Sequence, residues 1–524
     1  MASIQTDNLF NLIKTLTKAE KRSFKLYANR IQGKDQAKFV KLFDILDKQK
    51  EYDEEAIFRK APEIKRTQLS NLKRHLYKQL LTSLRLIHIH RHVDIAIREQ
   101  IDFARLLYGK GLYMQSLRIL KKAKEEAYFA NQDVLHLEIV EFEKLIESRH
   151  ITGSMARRAD ELTEEAEQRS RIIFNSTRLS NLSLKLYGFY LKSGLVRNEK
   201  DAYLLEEFFK ANMLDLHFDS LTFFEKIYWH EVYIRYYGIL QNFPMYYRHA
   251  QKWVDLFDAF PEMKEKDPDL YIRGMHFLLE AYFYTNNYGT YDKVLGELEA
   301  MLALGDKLNM MTRVQGGIFY YTALINKHFM QGTFSEGLSL VPELEQWLDE
   351  HDLYIDWHRR LIFLYKIACL YFGSGDNDRA IDYLNQIIHY HSGSLRQDLQ
   401  SYARLLHLIC HYELGHYNLL EYLVKSVYRF LNRMEDLNGV LKEILRFLRR
   451  ELYADDRRLL EAFRELKATL EKLQENPYER RSFLYLDIIS WLESKIEGVP
   501  VEQVVRRKFL ARQEALARMQ EGDN

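Results

Sequence analysis

Turn signals recur along this chain at intervals of 40 to 47 residues, at Gly111, Gly153, Gly194, Gln241, Asn286, Gly332, Gly375 and Gly415. Self-similarity at a fixed period of ~20–50 residues marks an array of supersecondary units, each of which buries its apolar face only against its neighbours. The best-defined unit is Leu364, Ile367, Ala368, Tyr371, Gly375, Ala380, Leu384 and Ile387. Its apolar residues return every three or four positions on both sides of one glycine, which predicts two antiparallel helices. Slim side chains stand where the two helices cross. Gly375 is placed to end the first helix in a left-handed cap, and Asp376 to start the second. The same template fits residues 103–123, 233–253, 279–295, 324–341 and 408–427. Only 22 Gly and 7 Pro occur in 524 residues, against a usual share of roughly 12%. A sandwich or barrel needs a turn every ~8–12 residues, so no strand is predicted and the fold class is all-α.

Helix-start chemistry agrees. Thr17/Glu20 and Thr333/Glu336 have capping-box spacing, and Pro62, Pro268, Pro342 and Pro477 are predicted in first turns. The spacing of the 364–387 unit resembles that of the tetratricopeptide-repeat family, and the resemblance covers residues 95–435. It implies a right-handed superhelical solenoid of about eight helix pairs whose concave face binds a protein or peptide. The opening, Leu12 through Tyr27, is similar to uncharacterised bacterial helical-repeat proteins, which bring no activity with them. In the family register, inward-facing first-helix positions include Arg235, His276, Glu280, Phe283, Asn326, Phe329, Tyr365 and Tyr402. A strip of mixed aromatic and polar character suits an extended peptide or a partner helix. The expected function is a non-enzymatic adaptor or regulator.

Three regions are predicted: a basic helical module over 1–92, repeats over 93–435, and capping helices over 436–524. The chain carries 76 Lys+Arg and 75 Asp+Glu, but residues 1–92 hold 20 of the cations and 10 of the acids. That surplus of ten leaves an acidic remainder. Helices are predicted over about 5–15, 18–31, 36–49, 53–60 and 63–92, and the last two resemble a helix-turn-helix. Residues 56–98 hold ten cations against Glu63 and Asp94. An alternative function follows: the module grips DNA or structured RNA through Lys65, Arg66, Asn71, Arg74, Lys78 and Arg85, and the repeats act as a sensor. The plainer reading of such a run is a solvated face.

Other constellations carry less. His88, His90 and His92, like His389 and His391, lack companions at metal-ligand spacing, so no metal is expected. His230-Glu231 is followed by Ile234, which breaks the zinc-protease pattern. Gly109-Lys110-Gly111 and Gly373-Ser374-Gly375 lack the length and ending of a phosphate loop. Cys369 and Cys410 are too few for a disulfide framework and are expected as small buried thiols. No cofactor and no catalytic set is predicted. The longest apolar stretch, Leu361–Phe372, is short and broken by Lys366, so no membrane association is expected. With no secretory signal legible, a cytoplasmic location is expected. Helices 441–453, 457–473 and 477–497 should close the array. A basic amphipathic helix over 501–519 then docks on the body or reaches a partner.

Overall fold

The computed structural model describes residues 7–30, 36–89, 92–150, 155–390, 397–434, 437–451 and 455–522. The fold is all-α, and no strand occurs among the described residues. Two compact units divide the chain, residues 1–173 and 174–524.

The first unit opens with α1 (Asn8–Thr15), α2 (Lys18–Arg30), α3 (Gln36–Lys48), α4 (Glu54–Lys60) and α5 (Arg66–His88). Asp7 starts α1 by accepting the Phe10 N–H at 3.0 Å. The predicted box at Thr17 forms: its N–H donates to Glu20 at 2.8 Å, and the Glu20 N–H returns to Thr17 Oγ1 at 3.2 Å. One stripe of α5 (Leu69, Leu76, Leu80) is buried with Phe24, Phe39, Leu42 and Phe43 in the module's core. Then come α6 (Val93–Gly109), α7 (Tyr113–Phe129) and α8 (Asp133–His150). Ser116 Oγ donates to the Ala104 carbonyl at 2.8 Å, so the small pair does mark a close crossing. The 39-residue α9 (Met155–Ser193) begins in the first unit and ends in the second. The repeat spacing places a helix break within that span, and none occurs. No Gly or Pro stands between Ala156 and Tyr187 to stop the helix.

The second unit continues with α10 (Glu199–Asn212), α11 (Phe223–Ile239), α12 (Phe243–Ala259), α13 (Met263–Lys266), α14 (Pro268–Tyr284) and α15 (Tyr291–Leu302). Next are α16 (Met310–Gln331), α17 (Phe334–Gly337), α18 (Val341–Glu350), α19 (Trp357–Ser374), α20 (Asn377–Ile388), α21 (Gln397–Glu413) and α22 (Tyr417–Arg433). The last are α23 (Gly439–Arg450), α24 (Asp456–Glu475), α25 (Arg481–Tyr485), α26 (Ile488–Glu497) and α27 (Val501–Gly522). Helices pack in neighbouring pairs: α11 with α12, α14 with α15, α19 with α20, α21 with α22. Four first members also touch in series, α14 to α16 to α19 to α21. One continuous apolar core runs from Phe223 to Val505.

Gly153 lies outside the described residues. The other seven predicted turn positions all have positive φ, Gln241 (58°) and Asn286 (54°) among them. Helix ends match less well. Thr333 forms no box; its hydroxyl pairs with His328 Nδ1 at 2.8 Å. Thr222 forms one instead, with its N–H 2.8 Å from Glu225 Oε2. Pro268 and Pro342 stand in first turns, whereas Pro62 and Pro477 lie in turns outside helices. The helix predicted over 477–497 is broken because Asp487 caps a new start, accepting the Ser490 N–H at 3.1 Å.

The basic end helix docks on the body. Arg506 donates to the Gln331 carbonyl at 3.3 Å, Arg512 to Asn286 Oδ1 at 3.0 Å, and Phe509 meets Tyr288 edge-on at 5.0 Å. Arg506 thus brings positive charge to the C-terminal end of α16, where the helix dipole favours it. Gly332 makes this approach possible. Its φ is +61°, and a Cβ there would lie 2.4 Å from Arg506 N and 2.8 Å from the Val505 carbonyl carbon. Gly332→Ala is therefore expected to destabilise the unit by about 2–3 kcal/mol, from left-handed strain plus backbone overlap. Hydrogen exchange of the 501–512 amides checks it: they should exchange faster in the variant, and unchanged protection would refute the docking role.

Candidate functional site

The row α14, α16, α19 and α21 carries most of the predicted strip. His276, Glu280 and Phe283 follow one another at i, i+4 and i+7 on α14, and Asn326 and Phe329 at i, i+3 on α16, so each set shares a face. The structure gathers Glu280, Phe283, Asn326 and Phe329 around a residue outside the predicted set, Lys366 of α19. Its ammonium donates to Asn326 Oδ1 at 2.5 Å and lies 5.5 Å from the Phe329 ring centroid and 5.9 Å from that of Phe283. Among the described residues no carboxylate comes within ion-pair distance of it. Burial lowers its pKa to about 8, against the opposing pull of Cys369 and Glu280. Burial also pushes the neighbouring Cys369 thiol up to about 12, which keeps it protonated and a poor nucleophile. Cys410 is buried, and both cysteines are free. The signal for Lys366 was present in the sequence as the one cation inside an apolar run.

Most of the predicted positions are already engaged within the fold. Asn326 is 4% exposed and spends its carbonyl on Lys366. Tyr365 and Tyr402 are core residues at 5% and 1% exposure, and Tyr402 shares a 2.9 Å hydrogen bond with Ser482. Arg235 donates to Glu231 at 2.8 Å and to Ser183 at 2.7 Å, with its guanidinium over the Tyr187 ring. The His276 ring stacks on Phe319 at 3.8 Å, and burial lowers its pKa. Glu280 accepts the Tyr246 hydroxyl at 2.9 Å. What the row offers a ligand is thus narrow: one half-buried ammonium between two phenyl rings, beside a carboxylate already hydrogen-bonded.

On α5 the predicted residues are all exposed but differ in their ties. Arg66 pairs with Glu55 at 2.6 Å, and Arg85 stands 3.8 Å from Asp102. Arg74 donates to Asn71 Oδ1 at 3.3 Å. Lys65 opens the helix without a side-chain cap, and it and Lys78 meet no carboxylate among the described residues. The proposed helix-turn-helix pair is not closely knit, since α4 packs on α3 while α5 packs on α2 and α3.

Histidines cluster elsewhere. His407 Nε2 lies 3.3 Å from His411 Nε2, and His411 Nδ1 lies 2.9 Å from His416 Nδ1. His230 and His249 face each other at 3.1 Å. Burial lowers His407 to about 4 and His230 to about 3, with neighbouring histidines adding to the shift. His88 is tied to Glu20 at 2.8 Å, and His389 to the Asn385 carbonyl. His90 and His391 lie outside the described residues. Among the described residues no three His, Cys, Asp or Glu side chains converge as a metal site, and no helix is long and apolar enough to cross a membrane. No protein-family model matches the chain, and no curated protein matches it.

Proposed function

We propose that this chain is a non-enzymatic cytoplasmic adaptor or regulator. In this reading helices α11–α22 form a tetratricopeptide-like solenoid, and a protein or peptide partner lies along its concave row α14–α16–α19–α21. The observation that carries the reading is Lys366. A desolvated ammonium with only a neutral acceptor is unfavourable in the free protein. A partner's carbonyl or carboxylate would supply the missing acceptor, and Phe283 and Phe329 would flank it with apolar surface. The serial contact of the first helices and the left-handed turns within the pairs support the superhelical arrangement.

Selection of peptides from a random library on the wild-type chain tests this. Lys366→Met is expected to bind the selected peptides at least ~10-fold more weakly, since a hydrogen bond to a charged group contributes about 1.5–3 kcal/mol. Stability should stay within about 1 kcal/mol, because the lost bond to Asn326 is offset by removal of a desolvated charge. Peptides that bind both proteins equally, or a library that yields none, would refute the site.

A further inference from the structure

The positive surplus of the first 92 residues is not spread evenly. Several cations of α1–α4 are paired, Lys21 with Asp47, Lys25 with Asp44 and Lys41 with Glu63, and on α5 the partly buried Lys73 is paired with Asp7. The surplus is densest along α5. Residues 64–93 contain no Asp or Glu. At ~100° per residue, Thr67, Asn71, Arg74 and Lys78 fall directly opposite the buried Leu69–Leu76–Leu80 stripe, and all four are exposed. The core therefore fixes which face turns outward, and that face carries only cations and neutral hydrogen-bonding groups. From Thr67 to Lys78 the row spans about 16 Å. Arg74 is held by a neutral partner, Asn71, so its charge is not cancelled.

We propose that this row of α5 is a phosphate-binding strip for a nucleic-acid duplex, laid along the sugar-phosphate backbone. The local acids argue for side-on docking. Glu55 and Glu63 stand near the start of α5 and already occupy Arg66 and Lys41, which leaves little free positive charge there for an end-on approach into a groove. Contact is by Arg74 and Lys78, with Thr67 and Asn71 as neutral donors. It carries little sequence preference, because backbone contacts position a protein without reading bases. The strip lies in the first unit and does not depend on the peptide reading of the second.

Fluorescence anisotropy of the full chain, with 20-base-pair DNA and RNA duplexes titrated between 50 and 200 mM salt, tests the proposal. Two neutralised phosphates predict a log–log salt slope of about −1.8 on DNA. Arg74→Glu with Lys78→Glu should weaken binding at least ~10-fold at low salt and reduce the slope by about two units. The control, Lys144→Glu with Arg157→Glu, changes net charge equally on cations already paired with Glu141 and Glu161, and should bind like the wild type. Comparison of the two duplexes identifies the nucleic acid. Absence of binding to both at 50 mM salt, or equal loss in both variants, would overturn the strip. So would a duplex signal displaced only by an acidic polypeptide.

Discussion

Trp253→Ala is expected to destabilise residues 174–524 by about 4 kcal/mol, the range measured when a buried aromatic is truncated and its cavity persists. Trp253 is fully buried, and its indole N–H donates to the Leu270 carbonyl at 3.0 Å. The ring lies against Gly274: a Cβ there would sit 2.4 Å from Trp253 Cδ1. Indole and bare helix backbone are complementary, and together they set how closely α12 approaches α14. No neighbour can fill the space without moving a helix. Removing the indole also orphans a buried carbonyl acceptor. The denaturant midpoint of the second unit reads the effect. A loss under ~1.5 kcal/mol would mean that α12 and α14 collapse together and that the seam is not rigid. Gly274→Val probes the same seam from the other side and should also destabilise, by overpacking.

Acid should weaken the second unit well before its carboxylates titrate. His230 and His407 are held neutral below the ordinary histidine pKa of ~6.5, at about 3 and about 4. Both values are depressed, so between pH 6.5 and these values the unfolded chain binds more protons than the folded one. Stability is then complete above about pH 6.5 and falls as pH drops. Each group contributes about 1.4 kcal/mol per pH unit, and His249, held at about 4 beside His230, adds a third, so the three predict a loss of about 5 kcal/mol between pH 6.5 and pH 5. The contacts explain why neutrality is required. In the chain His407–His411–His416, each nitrogen–nitrogen contact needs one N–H and one lone pair, and a doubly protonated ring removes the lone pair. Urea titrations at the two pH values measure the loss. His230→Phe with His407→Leu should make the dependence shallower; an unchanged slope would assign it to other groups.

Legibility of the fold followed the range of the interaction involved. Turn positions depend on four or five residues, and Gln241 and Asn286 adopt left-handed backbone where the spacing asks for it. Capping was ambiguous because Thr333 and Thr222 carry the same spacing, and only the nearby His328 diverts the first. The helix face of the candidate row was readable from periodicity, but accessibility on that face was not. Tyr365 and Tyr402 sit on helices buried on several sides at once, so a 3.6-residue period cannot separate a position facing open space from one facing the next helix. Lys366 stood out as a charge in an apolar run; its setting between Phe283 and Phe329 depends on three helices. The amphipathic pattern of residues 501–519 left docking or a partner open, and the place where α27 docks had no local signature.

That docking has a consequence for how the protein is made. Ser335 pairs with Glu502 across 167 residues, Gln331 with Arg506 across 175, and Asn286 with Arg512 across 226. At ~5–20 residues per second of synthesis, α14 through α17 leave the ribosome roughly 10–45 s before the helix that covers their ends. For that interval the Gln331 carbonyl and the backbone of Gly332 face water or a chaperone. The segment around residue 332 thus passes through a nascent surface that the finished protein hides.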